Sequence, residues 1–154
     1  MSNHDVLQEI LDRNEIVSVV LHYARGLDLK NWEMFRSCWV DEVDTDFSSY
    51  NGNPPAVMKA DDITMFARKN VTGLITQHLS TNHIVTVEGS SATCTSSLFA
   101  QHRRPGQEET EYYDMHGDYT YTLVRTANGW KIRGIKMDMR WQEGNPQLLG
   151  SGEG

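Results

Sequence analysis

The chain reads as an α+β domain in which a strongly curved, mostly antiparallel sheet is covered by about three helices from its N-terminal half. Three observations predict this. Apolar residues recur at helical spacing through the first 40 or so of the 154 residues, the period switches to two in the second half, and turn-forming pairs separate four long strand-like runs. The chain has the length of one ordinary domain able to bury a core.

The first helix shows Ile16, Val20, Tyr23 and Leu27 on one stripe, widened by Val17, Leu21 and Ala24. Asp12 followed by Glu15 has the spacing of a capping box and sets the expected start; Gly26 and the polar residues 28–31 set the expected end. A short second helix is expected from Trp32 to Trp39, a short strand from Val43 to Phe47, a loop over residues 51–55 and a third helix over about 61–71. The strand runs follow at about 75–87, 92–103, 110–125 and 130–141. In the third run Tyr113, Met115, Gly117, Tyr119, Tyr121 and Leu123 share one face, while Asp114, His116, Asp118, Thr120 and Thr122 share the other. In the last run apolar parity shifts around Gly134, as a bulge or sharp bend would require. One domain over residues 1–143 is expected, with 144–154 as a flexible tail.

Charge and motifs narrow the function classes. A net charge of -7 with no clustered basic patch points away from nucleic acid. No apolar run approaches the ~20 residues of a membrane span, and a polar start without a signal-peptide core fits a cytoplasmic protein. Cys38 and Cys94, far apart and outside any C-x-x-C spacing, read as buried thiols in a reducing compartment. No phosphate loop, dinucleotide fingerprint, H-E-x-x-H or G-x-S-x-G occurs, so no cofactor or metal is expected. His78 and His83, five apart, fall on opposite sides of a regular strand, which argues against a shared metal.

Two residues carry the chemical expectation. Asp28 sits where a helix ends, beside the negative end of its dipole; it either caps the next helix, faces water, or is compensated by a histidine N–H. His78 shares a strand face with Thr76 and Ser80, where a core strand would place aliphatics. A histidine held by a carboxylate is the minimal equipment for taking a proton from carbon. His102, on a face with Leu98 and Ala100, points inward, as a core histidine or a second site residue.

At these positions the chain resembles SnoaL-like members of the nuclear transport factor 2-like superfamily, and among them the scytalone dehydratases. The matches are Tyr23-Ala24 through Asp28-x-Lys30-x-Trp32, then Thr76-Gln77-His78, then Gly129-Trp130-Lys131 and Asp138-x-Arg140-Trp141, together spanning about residues 15–143. The resemblance implies a cone-shaped, cystatin-like α+β barrel around one deep, mostly apolar pocket. It also implies a catalytic dyad of Asp28 and His78, with His102 as a second pocket histidine. A homo-oligomer, trimer or dimer, without cofactor is implied too. The chain departs from the scytalone dehydratase pattern where Leu27 and Phe47 replace two carbonyl-polarising tyrosines and where Tyr121 and Leu123 replace a serine and an asparagine. Tyr113, Tyr119 and Tyr121 are therefore either core aromatics or a new hydroxyl donor, and Arg140 lies either at the pocket mouth or in a surface ion pair.

The expected activity is a cofactor-independent lyase of the dehydratase type acting on a small, hydrophobic, cyclic or aromatic polyketide-like molecule. His78 would be the base, and His102 or a tyrosine would donate to the departing oxygen or the enolate. Loss of halide, double-bond isomerisation of the ketosteroid isomerase kind, and plain binding without catalysis are the alternatives.

Overall fold

The computed structural model describes residues 3–151. Its elements, in chain order, are helix α1 (Asn3–Leu29), helix α2 (Trp32–Ser37), strand β1 (Trp39–Asp46), helix α3 (Ser48–Asn51), strand β2 (Ala56–Lys59), helix α4 (Ala60–Val71) and strands β3 (Ile75–Glu88), β4 (Ser91–Arg103), β5 (Tyr112–Thr126) and β6 (Gly129–Gly144). The strands form one six-stranded sheet in the order β2-β1-β6-β5-β4-β3. Every pairing is antiparallel except β1 with β6. α1 packs against β3 and β6, α4 against α2 and the β1–β2 ribbon, and the core fills the space between helices and sheet.

The alternation on β5 decides which face is buried: Tyr113, Met115, Tyr119, Tyr121 and Leu123 all lie inside. The bend expected near Gly134 is a register shift, in which Thr122 pairs with Gly134 but the adjacent Leu123 pairs with Ile132, leaving Arg133 as the extra residue. A second shift, on β3 between Thr81 and Ile84, has Asn82 at φ 54°. It turns His83 to the side of Ser80, whose Oγ lies 3.0 Å from His83 Nε2, so the opposite-side placement expected from a regular strand does not hold.

The first helix is much longer than its sequence signals suggest. Asp12 and Glu15 lie within α1 and cap nothing, because the far end of the sheet claims both. Asp12 is 4% exposed, accepts from Nη1 and Nη2 of Arg125 at 2.6 Å each and from Trp130 Nε1 at 3.2 Å. Glu15 Oε1 accepts the Trp130 backbone N–H at 2.9 Å. Hydrogen bonding to Arg125 outweighs burial and holds the Asp12 carboxyl at about 2. Gly26 does not end the helix either; a Cβ there would stand 2.9 Å from Phe35 Cβ, so this glycine lets α2 approach α1. Instead α1 ends one turn later at Lys30 (φ 55°), where Asn31 N–H donates to Gly26 O and Lys30 N–H to Leu27 O, the Schellman pattern that a glycine usually closes.

Other boundaries move for local reasons. Trp39 opens β1 rather than closing α2, since Asn31 caps α2 through Met34 N–H and only 6 residues follow. The stretch expected as a tail from 144 packs back: Leu148 is 1% exposed in a 3-10 turn (Pro146–Leu148), and Gly150 N–H donates to Asn70 O of α4. Residues 152–154 of that expectation lie outside the described residues. Replacing Asp12 by Asn removes the charge-assisted fork to Arg125 and is expected to destabilise the fold by about 2 kcal/mol. A melting temperature lowered by roughly 5 °C in calorimetry would match that figure for a domain of this size.

Candidate active site

The C-terminal turn of α1 meets the start of β3 through one carboxylate. Asp28 Oδ1 lies 2.7 Å from His78 Nδ1, and its Oδ2 accepts the His78 backbone N–H at 2.9 Å. Thr76 Oγ1, one residue pair along the same strand face, donates to Asp28 Oδ1 at 3.1 Å and itself accepts from Lys30 Nζ at 2.8 Å. The Asp28 and His78 side chains are 9% and 8% exposed. Burial by itself would raise the Asp28 carboxyl, but the hydrogen bonds from the His78 ring and backbone win and hold it below its usual range. The carboxylate is therefore charged and only accepts, so the His78 proton shared with it sits on Nδ1. That leaves Nε2 with a lone pair, as a base requires. Lys30, whose ammonium is lowered by burial, and Thr76 complete the support; the signal for Thr76 was its shared face with His78.

His78 and His102 line one cavity of about 330 Å³, with their ring centroids 5.4 Å apart and their planes at 89°. A cavity of this size holds a one- or two-ring organic molecule. Its wall is mainly apolar: Leu27 and Phe35 from the helices, Phe47 just after β1, Met58 on β2, Ile63 from α4, Met115 and Met137 from β5 and β6. Tyr23 and Tyr119 also line it, and Tyr23 OH donates to Tyr119 OH at 3.4 Å. Having accepted that bond, Tyr119 keeps its own proton for a ligand. Tyr50, on α3, borders the same space; it was missed because it stands in a Ser/Asn/Gly-rich stretch that reads as loop. Leu149, from the segment expected to be a tail, closes part of the wall.

His102 lies in the cavity as expected but with another polarity, and Tyr121 and Arg140 are placed outside it. His102 Nδ1 lies 3.0 Å from Tyr113 O, and a carbonyl can only accept, so the ring proton is on Nδ1 and Nε2 is an acceptor. Burial first, then the neighbouring His78, push His102 down to about 4. It is neutral at pH 7 and cannot donate from Nε2 as the sequence reading had it. Tyr121 is absent from the cavity wall; it is fully buried behind Tyr23 and Tyr119, at ring-centroid distances of 6.0 and 5.4 Å. Arg140 is on the outer face of the sheet, paired with Asp118 at 2.7 Å. Tyr113, the other candidate donor, gives its hydroxyl proton to Gln142 Oε1. Among the described residues, no three His, Cys, Asp or Glu side chains converge as a metal site would need, and no helix is long and apolar enough to cross a membrane.

A bent sheet closed by helices over one cavity is an NTF2-like, cystatin-like fold, and solved structures described in those words share it. The chain belongs to the SnoaL-like domain family, whose family model matches residues 8–136. It is similar to the Kfla4162 protein of Kribbella flavida, with 30% identity over 91% of this chain and 97% of that one and a TM-score of 0.84. A protein of Novosphingobium aromaticivorans provisionally named scytalone dehydratase shares 18% identity, covering 89% of each chain, at a TM-score of 0.73. A type 2 hexachlorocyclohexane dehydrochlorinase (LinA) shares 16% identity, covering 92% of each chain, at a TM-score of 0.68. These last two likenesses are of fold. No curated protein matches in sequence.

The depressed His102 fixes a sign for acid stability. In the unfolded chain an imidazole titrates near 6.5, whereas folded His102 stays neutral down to about 4. Between these values the unfolded state holds the extra proton, so stability falls as pH drops through that window, by up to about 3 kcal/mol from this group. Urea unfolding from pH 7 to 4.5 should show a smaller loss for His102→Gln than for the natural chain.

Proposed function

We propose that the chain is a cofactor-independent lyase of the dehydratase type, acting on a small, cyclic, largely apolar hydroxy-carbonyl compound. The observation that carries this reading is the 2.7 Å contact of Asp28 with His78 Nδ1 beside an enclosed apolar cavity. His78 Nε2 takes the proton from the carbon next to the carbonyl, and the electron pair of that C–H bond passes into an enolate. Asp28 holds the ring and stabilises the imidazolium while it lasts. The Tyr119 hydroxyl, backed by the bond from Tyr23, donates to the carbonyl oxygen as charge develops there. This places the donor on β5 in a chain whose positions 27 and 47 carry Leu and Phe.

The second half of the reaction follows from the neutral His102. As an acceptor at Nε2 it orients a ligand hydroxyl, which donates to it, toward the His78 side of the cavity. When the enolate re-forms its carbonyl, the carbon–oxygen bond breaks and the His78 imidazolium returns its proton to the departing oxygen. Water leaves and both histidines are back where they began. Proton abstraction alone would serve loss of halide equally well, but a halide has no proton to offer His102, which favours a hydroxyl leaving group. Two buried, unpaired thiols, Cys38 and Cys94, fit a reducing cytoplasmic setting.

The test separates the two halves. NMR in D2O should show exchange of the acidic C–H of 2-tetralone, and loss of water from cyclic β-hydroxy ketones, with the natural chain. His78→Ala should lower both rates by roughly 10²–10⁴-fold and Asp28→Asn by about tenfold or more, with unchanged circular dichroism. Undiminished rates in both variants would remove the dyad from the mechanism.

A further inference from the structure

The cavity wall holds a donor that neither the packing nor the proton transfer uses. Among the described residues, three buried side-chain atoms have no hydrogen-bond partner in the protein: Trp39 Nε1, Ser96 Oγ and Tyr121 OH. Ser96 and Tyr121 are absent from the cavity wall, whereas Trp39 borders it while only 3% exposed. A buried indole N–H usually finds an acceptor, and one that finds none in the protein is left to what enters the cavity. The amides on the same wall differ in kind. Asn51 and Asn53 are exposed and Asn70 is half-buried, so water serves them.

Packing does not call for the nitrogen. Trp39 meets the Tyr23 ring edge-on, at a centroid distance of 5.5 Å and an angle of 86°, and the Phe35 ring at 5.7 Å and 60°. A phenylalanine would meet both rings with no polar atom to satisfy. Tyr119 also meets Tyr23 edge-on, at 5.9 Å. The hydroxyl that serves the carbonyl and the indole N–H thus share one neighbour, and a single ligand can meet both. Among the described residues, no Asp, Glu, Lys or Arg lines this cavity, so the wall offers no partner to a charged substituent. The complement of an indole N–H in such a place is a neutral oxygen acceptor.

We infer that Trp39 is a specificity-determining residue whose Nε1–H donates to a second oxygen, an ether or a carbonyl, which an uncharged two-ring ligand carries apart from the reacting carbonyl, a reading that rests on the proposed cyclic hydroxy-carbonyl substrate. Nε1 does no chemistry. It selects ligands that satisfy it against those that leave it unpaired, and so sets how the ring system lies relative to His78.

Calorimetric titration with 2-tetralone and its four ring-methoxy isomers tests this, on the natural chain and on His78→Ala. In both, at least one methoxy isomer is expected to bind roughly tenfold more tightly than 2-tetralone, the gain from satisfying one buried donor. In Trp39→Phe that gain should vanish; comparing ligands within one variant removes any change in packing from the result. The sequence holds four tryptophans, and the indole N–H signal that Trp39→Phe deletes from the NMR spectrum is that of Trp39. In the natural chain this signal should move further downfield with the tight isomer bound than with 2-tetralone. No gain from any isomer, or a gain that Trp39→Phe retains, overturns the inference, and so does failure of every tetralone to bind. Absence of C–H exchange in the natural chain, with the methoxy gain intact, would count against His78 as the base and leave the role of Trp39 standing.

Discussion

The Asp28 carboxylate is the interaction on which the site depends. It ties the last turn of α1 by side chain to the strand face bearing His78, and it accepts from the His78 ring, the His78 backbone and Thr76 at once. Near the negative end of a helix such a charge is disfavoured by about 0.3–1 kcal/mol. Three donors, each worth about 1.5–3 kcal/mol toward a charged acceptor, more than offset that. The same bonds fix backbone, tautomer and ring orientation together, so the His78 ring is held in one pose by the fold itself.

Around this tie the rest of the cavity is a matter of reach. Lys30 adopts a left-handed backbone that costs about 1–2 kcal/mol for a residue with a side chain. Its ammonium then bonds Leu27 O and Thr76 Oγ1, so the strained residue braces both the helix end and the strand that Asp28 joins. Near the middle of α1, Asp12 and Glu15 clamp the β5–β6 turn region through Arg125 and Trp130. One long helix is thereby fastened to the sheet at its middle and at its C-terminal end, with Gly26 giving α2 room to close over it.

The sheet was readable because alternation over more than ten residues has few competing explanations, and the parity shift at Gly134 marked the bend. Helix signals misled where one residue type serves two purposes. Asp12 and Glu15 have capping-box spacing, yet their partners lie more than 100 positions away, and nothing local distinguishes the two uses. Tyr50, α3 and β2 were invisible because short elements carry too few residues to show a period. At the site, the pairing of Asp28 with His78 could be expected from resemblance and from the odd polar face of β3. The polarity of His102 could not, since it is set by the Tyr113 carbonyl on a neighbouring strand. Tyr121 shares parity with Tyr119 but not position, and depth behind Tyr23 is a three-dimensional fact.

The segment after β6 gives the cavity a piece of wall that belongs to neither the sheet nor the long helices. Leu149 borders the cavity while Gly150 N–H holds Asn70 at the end of α4. The chamber is closed in part from beyond the sheet, and the unit that encloses it extends past the last strand of the barrel.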